Sequence, residues 1–205
     1  MSSNTPGSGG YQYGGKHYGD AGSGVVSSGK YGSSGVAGAV GERYFQKLMQ
    51  SNSRARGYTS WASLRIPTPR RGKQYSSDVD FAVASGQRLM LVDIKMWEAN
   101  RVYWSAFGRA FKGFKPMGES ISRNMEMATN RYREALPGMS VQSMVMFVPT
   151  KKGLPAGVML LRWPGGINSY QPQDGINKIQ RFLGEPEFPH QSIISLLGSM
   201  TRRPS

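Results

Sequence analysis

The 205-residue sequence contains no cysteine, which excludes disulfide bridges and thiolate metal sites. Histidine is nearly absent too, since His17 and His190 are the only two, too few for a zinc site. No apolar run approaches the roughly 20 residues that a membrane span needs. The N-terminus also lacks the charged-then-apolar pattern of a signal peptide. These absences predict a cytoplasmic protein without a membrane span, and the length permits a real hydrophobic core.

Acidic residues are scarce: 12 Asp and Glu stand against 26 Lys and Arg, for a net charge of +14. Such an excess favours a polyanionic partner, of which nucleic acid is the commonest.

Residues 1–38 are rich in Gly, Ser and Tyr and poor in apolar side chains. A chain of this composition cannot offset its ordering entropy, so we expect a disordered tail followed by one folded domain over residues 39–200. The tail has two interpretations. It is either a linker without a defined role, or a nonspecific nucleic-acid contact made through tyrosines and Lys16 or Lys30.

The acids gather in a predicted hairpin within residues 76–97. Period-2 alternation predicts one strand over Asp78–Ala84 and a second over Arg88–Lys95. Gly86 and Gln87 suit a two-residue turn, because glycine accepts positive φ at the first central position. This turn places Ser85 opposite Arg88 and thereby sets the register of the hairpin.

In that register Asp80 lies opposite Asp93, and Asp78 lies opposite Lys95, all on one face. Opposed residues have Cβ atoms roughly 4.5–5.5 Å apart, where like charges are destabilising. A divalent cation relieves the repulsion, and Mg²⁺ favours one or two carboxylates with waters and phosphate oxygens. Lys95 can meet the developing charge of a phosphodiester. The other interpretation is a solvated sheet face, with Asp78 and Lys95 as a cross-strand ion pair.

Two segments near the hairpin are basic. Arg70, Arg71 and Lys73 lie in a Pro- and Arg-rich loop that leads directly into the first acidic strand. After the hairpin, a predicted loop interleaves basic and aromatic residues. Both segments suit phosphate contacts, although a basic run is also typical of a solvated loop, and aromatic residues near a strand end are often core. The interleaved residues are Phe107, Arg109, Phe111, Lys112, Phe114 and Lys115.

The order Asp80, then Asp93-Ile94-Lys95, resembles the PD-(D/E)XK nuclease superfamily. With Gly41-Glu42 on a preceding helix and Trp97 just after the lysine, the chain more narrowly resembles the NERD (nuclease-related domain) family. The similarity extends, more loosely, from Gly41 to Gly184. Family members often carry a glutamine on the helix after the third strand, and here that helix, NMEMATNRYREAL, has none.

The resemblance implies a site that binds Mg²⁺ or Mn²⁺. Asp80, Asp93 and the Ile94 main-chain carbonyl would hold the metal, and Lys95 would position or deprotonate the attacking water or stabilise the phosphorane-like charge. Glu42 would bind a second ion or the water. Without the resemblance, Glu42 is equally an ordinary first-turn acid favoured by the helix dipole. Its place beside the apolar stripe of the helix predicts that it lies over a sheet edge and reaches solvent.

The remaining patterns complete an α/β prediction: a restriction-endonuclease-like mixed β-sheet flanked by helices, behind the disordered tail. Val102 and Trp104 suggest a third strand of the hairpin. The other predicted helices are 39–50, 120–136, 175–183 and 191–200, and the other strands are 58–66, 141–148 and 158–163.

The first functional hypothesis is a Mg²⁺- or Mn²⁺-dependent endonuclease acting on DNA. The second is a catalytically inactive, basic nucleic-acid-binding module. A third is an RNA-binding protein built around the Gly/Tyr-rich tail. DNA is expected more than RNA as the partner.

Overall fold

The computed structural model describes residues 14–19, 21, 32–67 and 78–201. Within these ranges the chain forms helices α1 Gly32–Ser51, α2 Asn124–Ala135, α3 Pro172–Leu183 and α4 Gln191–Met200. The strands are β1 His17–Tyr18, β2 Thr59–Arg65, β3 Asp78–Ser85, β4 Arg88–Lys95, β5 Val102–Ala106, β6 Arg109–Lys112, β7 Lys115–Ser120, β8 Ser140–Phe147, β9 Gly157–Leu160, β10 Arg162–Trp163 and β11 Ile167–Tyr170.

The main sheet has seven strands in the order β1-β2-β3-β4-β8-β11-β10. Strand β3 is antiparallel to both of its neighbours, β2 and β4, whereas β4, β8 and β11 run parallel. The sheet is therefore mixed, as the sequence predicts. β4 and β8 lie at its centre and read as nearly continuous apolar runs, because both of their faces are covered.

Helices cover both faces of this sheet. On one face α1 and α3 pack through Phe45, Met49, Ile176 and Ile179 against side chains such as Val92. On the other face α2, α4 and a second sheet enclose a core of their own. The arrangement is a three-layer α/β architecture, and the alternating side chains of β4 divide between the two cores.

The second sheet has four strands in the order β7-β6-β5-β9. Here the sequence-based expectation is wrong in two places. The segment expected to be an irregular loop forms β6 and β7, and the expected third strand of the hairpin, β5, belongs to this separate sheet. The physical reason lies in residues 96–101, which carry the chain off the main sheet after Lys95, so that Trp97 packs against Tyr103 of β5 with ring centroids 4.8 Å apart.

Other elements also differ from expectation. The strand expected over 158–163 is two strands, since β9 joins the second sheet and β10 pairs with β11 of the main sheet. Helix α2 begins at Asn124 rather than at 120, and α1 begins at Gly32, before the apolar pattern of its sequence starts. Within the segment expected to be a disordered tail, β1 pairs in parallel with β2, and Tyr18 stacks on Trp61.

Among the described residues, no helix combines the length and apolar character needed to cross a membrane.

Candidate active site

The β3–β4 hairpin has the register that its turn predicts, and Gly86 adopts a φ of 53°. The backbone ladder runs from Ser85–Arg88 to Phe81–Val92 and ends there. At the next position the Asp80 carboxylate replaces the backbone as the partner of β4, since its Oδ2 accepts a hydrogen bond from the Ile94 N–H at 2.7 Å. Asp80 and β4 are thus neighbours, as expected, but through a side chain rather than as a directly opposed backbone pair.

Asp78 is placed differently from its expected position opposite Lys95. It pairs with Arg65 at the end of β2, on the far side of β3 from β4. The β3–β4 ladder has already ended at this point, so Asp78 does not share the register of Lys95. A role for Asp78 as the directly opposed partner of Lys95 is therefore wrong.

Both β2 and β3 change face beside Asp80. Ala62 and its partner Phe81 pack into the core under α1, whereas Leu64 and its partner Val79 pack into the opposite core. Residues two apart in a regular strand share a face, so both strands shift phase by one position between these pairs. Ser63, which faces Asp80 across the strands, has a φ of 52° and is buried. The β3–β4 pairing ends beside this kink, and the place between the two strands where Asp80, Asp93, Lys95 and Glu42 lie near one another is called the notch below.

Asp93 and Lys95 lie on β4 at the rim of this notch. Lys95 Nζ contacts Asp93 Oδ2 at 2.7 Å and donates to Oδ1 at 3.0 Å. The Asp93 side chain is 15% exposed and the Lys95 side chain is 33% exposed, so both reach solvent from a partly buried position. The structure thus brings together an acid and a base that the sequence places two residues apart.

Helix α1, which packs on one face of the main sheet, supplies Glu42. Gly41 lets the helix approach closely, since a Cβ at this position would lie 3.1 Å from Ile94 Cγ2 and 3.2 Å from Val148 Cγ2. The close approach carries Glu42 into the protein, where it is 5% exposed. The expectation that Glu42 reaches solvent is therefore wrong, because the glycine brings the helix nearer to β4 than an apolar stripe alone reveals.

The acids in the notch repel one another. Burial raises the pKa of Asp80 well above its ordinary value, the Asp93 and Glu42 carboxylates raise it further, and Lys95 and the Ile94 N–H oppose the rise. Glu42, Asp93 and Lys95 are therefore all close enough to Asp80 to act on its charge. Burial by itself lowers the pKa of the Lys95 ammonium, but Asp93 and Asp80 outweigh it, so this pKa is raised and the side chain is cationic.

The notch has donors suited to a hard divalent cation. Lys95 C=O accepts from Val148 N at 2.9 Å, so the backbone of Lys95 faces β8. Backbone groups alternate in direction along a strand, and the Ile94 C=O therefore faces Asp80. Two carboxylates and this carbonyl are oxygen donors of the kind that hard divalent cations take. In the described part of the chain no three His, Cys, Asp or Glu side chains already form a metal-binding group, and Lys95 neutralises Asp93 instead.

The predicted nucleic-acid contacts divide into two groups. Arg109 and Lys115 are exposed on the second sheet, and Lys112 forms an ion pair with Glu98. Arg70, Arg71 and Lys73 lie outside the described residues. The segment that carries them joins β2 to β3, and β3 begins at Asp78, two residues before Asp80.

Two residues that support the notch are missing from the predicted site. Nothing in the sequence marks Ser63, since a serine in a strand gives no signal of positive φ. Trp97 is singled out only by its place after Lys95. Its ring lies 4.8 Å from Tyr103, 5.0 Å from Phe147 and 6.0 Å from Trp163, so it joins the end of β4 to both sheets.

The fold and the notch together define an α/β protein in which acidic side chains and a lysine converge at the open end of a hairpin. Among known families, the model of the nuclease-related domain, NERD, matches residues 37–148, more than half of the chain. The chain belongs to the NERD family. The match begins in α1 before Glu42 and ends just after β8, so it includes the whole notch. No curated protein and no solved structure matches the chain.

Proposed function

We propose that this protein is a divalent-metal-dependent nuclease that hydrolyses phosphodiester bonds, with DNA as its substrate and a restriction-endonuclease-like fold. The observation that carries the proposal is the position of Asp80. Its carboxylate is anchored on the Ile94 N–H, and it lies within electrostatic reach of Asp93, Glu42 and Lys95. Membership of a nuclease-related family supports the same chemistry. Cytoplasmic location remains a prediction from the sequence.

In this proposal Asp80, Asp93 and the Ile94 carbonyl hold Mg²⁺ or Mn²⁺, which when bound acidifies water and offsets phosphate charge. The Lys95 ammonium, held cationic by its acidic neighbours, stabilises the charge that develops on the phosphate. This role fits its raised pKa better than proton abstraction from water. Glu42, buried beside the notch, orients the attacking water or holds a second ion.

A second candidate function is that of a catalytically inactive nucleic-acid-binding module. The observation that favours it is the close Lys95–Asp93 ion pair, which satisfies Asp93 without a metal. Cleavage of supercoiled plasmid by the purified protein in Mg²⁺, in Mn²⁺ and in EDTA separates the two functions. The nuclease proposal requires that cleavage occur only when metal is present. It also requires that Lys95→Ala cleave at least about 100-fold more slowly than wild type, which is the effect of losing a single transition-state contact.

Lys47→Ala is the matched control for this experiment, because Lys47 is exposed on α1. It should cleave at the wild-type rate. Equal cleavage by Lys95→Ala, or cleavage that persists in EDTA, would point to a contaminating enzyme and contradict the nuclease assignment. A parallel assay with single-sequence DNA and RNA tests the choice of DNA.

The nucleic-acid contacts are tested by the salt dependence of binding. Three basic residues precede Asp80 by seven to ten positions in the sequence: Arg70, Arg71 and Lys73. We propose that they hold phosphates near the notch. Each lost phosphate contact should lower the slope of log K against log salt by about 0.9 on duplex DNA. An unchanged slope in the triple alanine variant would move the binding surface elsewhere, with Arg109, Lys112 and Lys115 as the next candidates.

A further inference from the structure

An apolar row crosses the second sheet from edge to edge. Leu160 of β9 pairs with Trp104 of β5, Trp104 pairs with Phe111 of β6, and Phe111 pairs with Pro116 of β7. Side chains of directly paired residues point to the same face. The Trp104 and Phe111 rings stack on each other, with centroids 4.3 Å apart and planes 12° apart.

The row lies on the outer face of the sheet. The opposite face carries Tyr103 and Ala110, both buried against the core shared with α2. Trp104 and Phe111 are half-buried, whereas Leu160 is 69% exposed. The aromatic pair is therefore held in a fixed orientation by its own sheet while its outer surface stays open to solvent.

Two fully exposed phenylalanines stand at the turns of this sheet. Phe107 occupies the β5–β6 turn, where its own φ is 50° and that of Gly108 is 72°. Phe114 occupies the β6–β7 turn after Gly113, whose φ is 58°. Neither ring contributes to the core, and Phe107 additionally holds a backbone conformation that a non-glycine residue adopts at an energetic cost. Exposed apolar surface of this kind marks an interaction site.

The charge of the segment indicates the partner. Residues 98–120 contain four basic side chains and two acidic ones, and Glu98 forms ion pairs with Arg101 and Lys112. Arg109, exposed after the first turn, pairs with Ala106 and so shares the outer face with Trp104 and Phe111. Lys115, exposed after the second turn, pairs with Lys112 and lies on the inner face. Aromatic faces interleaved with cations suit a strand of nucleic acid whose bases are unpaired, because each base can stack on a ring while its phosphate meets a cation. A duplex presents base edges instead of base faces.

The sheet is also tied to the notch. Trp97, two residues after Lys95, packs on Tyr103, which is the neighbour of Trp104 on the inner face of β5. We infer that the outer face of the second sheet is a stacking platform for single-stranded nucleic acid, and that it directs the notch toward substrates with an unpaired segment. The second part of this inference rests on the proposed nuclease function, whereas the first does not.

Binding to fluorescent 20-nucleotide oligonucleotides, measured by anisotropy in EDTA, tests the platform without any cleavage. The double variant Phe107→Ala/Phe114→Ala should bind single-stranded oligo-dT at least about tenfold more weakly, as expected from lost base stacking. Binding to a duplex of the same length should change much less. Because both rings are fully exposed, the variant should fold like the wild type. Oligo-rU in parallel shows whether DNA or RNA is preferred.

Phe188→Ala is the matched control, because Phe188 is 57% exposed and lies far from the second sheet along the sequence. Its segment contacts the β3–β4 turn, since His190 N donates to Gly86 O at 2.8 Å, and this turn is at the other end of β4 from the notch. It should bind oligo-dT like the wild type. Arg109→Ala should lower the salt slope on single strands by about 0.7, the contribution of one phosphate contact, and Lys115→Ala should lower it less. The phenylalanine variant should leave that slope unchanged.

Trp104→Leu/Phe111→Leu tests the row itself, since leucine keeps apolar volume but removes the ring faces. Its melting curve shows whether it folds, and the folded variant should lose single-strand affinity like the phenylalanine variant. The platform is overturned if wild type does not bind oligo-dT, or if the phenylalanine variant binds it unchanged. If plasmid is still cleaved in that case, the nuclease proposal survives alone. Stacking-dependent binding without any cleavage would leave the platform and remove the nuclease.

Discussion

Asp80 Oδ2 accepts the hydrogen bond of the Ile94 N–H at 2.7 Å, at the place where the β3–β4 backbone ladder has just ended. A side chain thus replaces a main-chain carbonyl as the partner of β4. The replacement fixes a carboxylate in the gap between the strands, with Asp93 and Glu42 close enough to raise its pKa. The hydrogen bond and the charge have separate consequences, and two substitutions separate them.

Asp80→Asn keeps an oxygen that accepts from Ile94 but removes the charge. The pKa of Asp80 is raised in the folded state, so its folding contribution is fully present below the unfolded pKa, near 3.8, and is lost as pH rises through the folded pKa. The variant should therefore melt above wild type at pH 7 in EDTA, by about 2–4 °C for each kcal/mol of relieved repulsion. The difference should vanish as pH falls toward the unfolded value.

Asp80→Ala completes this comparison, because it removes the charge and also the acceptor. An unpaired backbone N–H costs about 1–3 kcal/mol, so the alanine variant should be less stable than the asparagine variant at every pH. Thermal melts between pH 4 and 8 measure both differences. An asparagine variant that melts below wild type at pH 7 would identify Asp80 as a structural acid and remove the strained-carboxylate argument.

Metal binding should be visible as stabilisation of the folded protein. At a Mg²⁺ concentration 100 times Kd, a ligand that binds only the native state adds about 2.7 kcal/mol to the free energy of unfolding. The wild-type midpoint should rise accordingly in Mg²⁺, and the midpoint of Asp93→Asn should not. Differential scanning calorimetry of both proteins, with Mg²⁺ and with EDTA, measures the four midpoints.

The EDTA midpoints carry separate information. The sequence suggests that Asp93→Asn is itself more stable without metal, by relief of repulsion from Asp80. The Lys95 ammonium, 2.7 Å from Asp93, already offsets the charge of Asp93. We therefore expect Asp80→Asn to raise the melting midpoint in EDTA and Asp93→Asn to change it little. Equal Mg²⁺ shifts in wild type and Asp93→Asn would place the ion elsewhere on the protein.

The hairpin, its turn and the buried strand β8 could be predicted from sequence because each depends on local pattern: alternation, a glycine at positive φ and a continuous apolar run. The second sheet could not. Its residues interleave Phe, Arg and Lys, which is equally typical of a basic loop. The strands arise because Tyr103 and Ala110 find a core formed by Trp97 and distant residues such as Phe147.

For the candidate site, the sequence indicates which residues lie near one another better than it indicates their geometry. Asp93 lies close enough to Asp80 to act on its charge, but the kink beside Asp80 includes Ser63, whose positive φ has no sequence signal. Glu42 was identified through a family resemblance, and its burial depends on Gly41, whose missing side chain matters only once α1 is packed on β4. Such features arise from tertiary contacts, which local patterns do not contain.

The kink at Ser63 makes its own prediction. A residue with positive φ favours glycine over alanine by about 1 kcal/mol or more, because only alanine has a Cβ in conflict with the backbone. Ser63→Gly should therefore be more stable than Ser63→Ala in urea unfolding, although both lose the same hydroxyl. At Ser60, in the regularly paired part of β2, the same two substitutions should give the opposite order. If the alanine variant were more stable than the glycine variant at both positions, the kink at Ser63 would be absent.

Gly41 provides the sharpest separation of stability from function. Glycine in a helix interior is ordinarily less stable than alanine by about 0.5–1 kcal/mol. At Gly41 a Cβ would lie 3.1 Å from Ile94 Cγ2 and 3.2 Å from both Met96 Cγ and Val148 Cγ2. These atoms must yield by a few tenths of an ångström, which offsets the helix gain. The shift also moves Glu42 relative to Asp80.

Gly41→Ala should consequently melt close to wild type while its metal-dependent cleavage falls by about tenfold or more, as a small misplacement of a catalytic group can cause. The control is Gly198→Ala in α4, where a Cβ meets nothing within 4 Å. That variant should gain about 0.5–1 kcal/mol of stability and cleave normally. Full activity in Gly41→Ala would show that the packing of α1 on β4 does not set the position of Glu42, and Glu42 would then lose its proposed role.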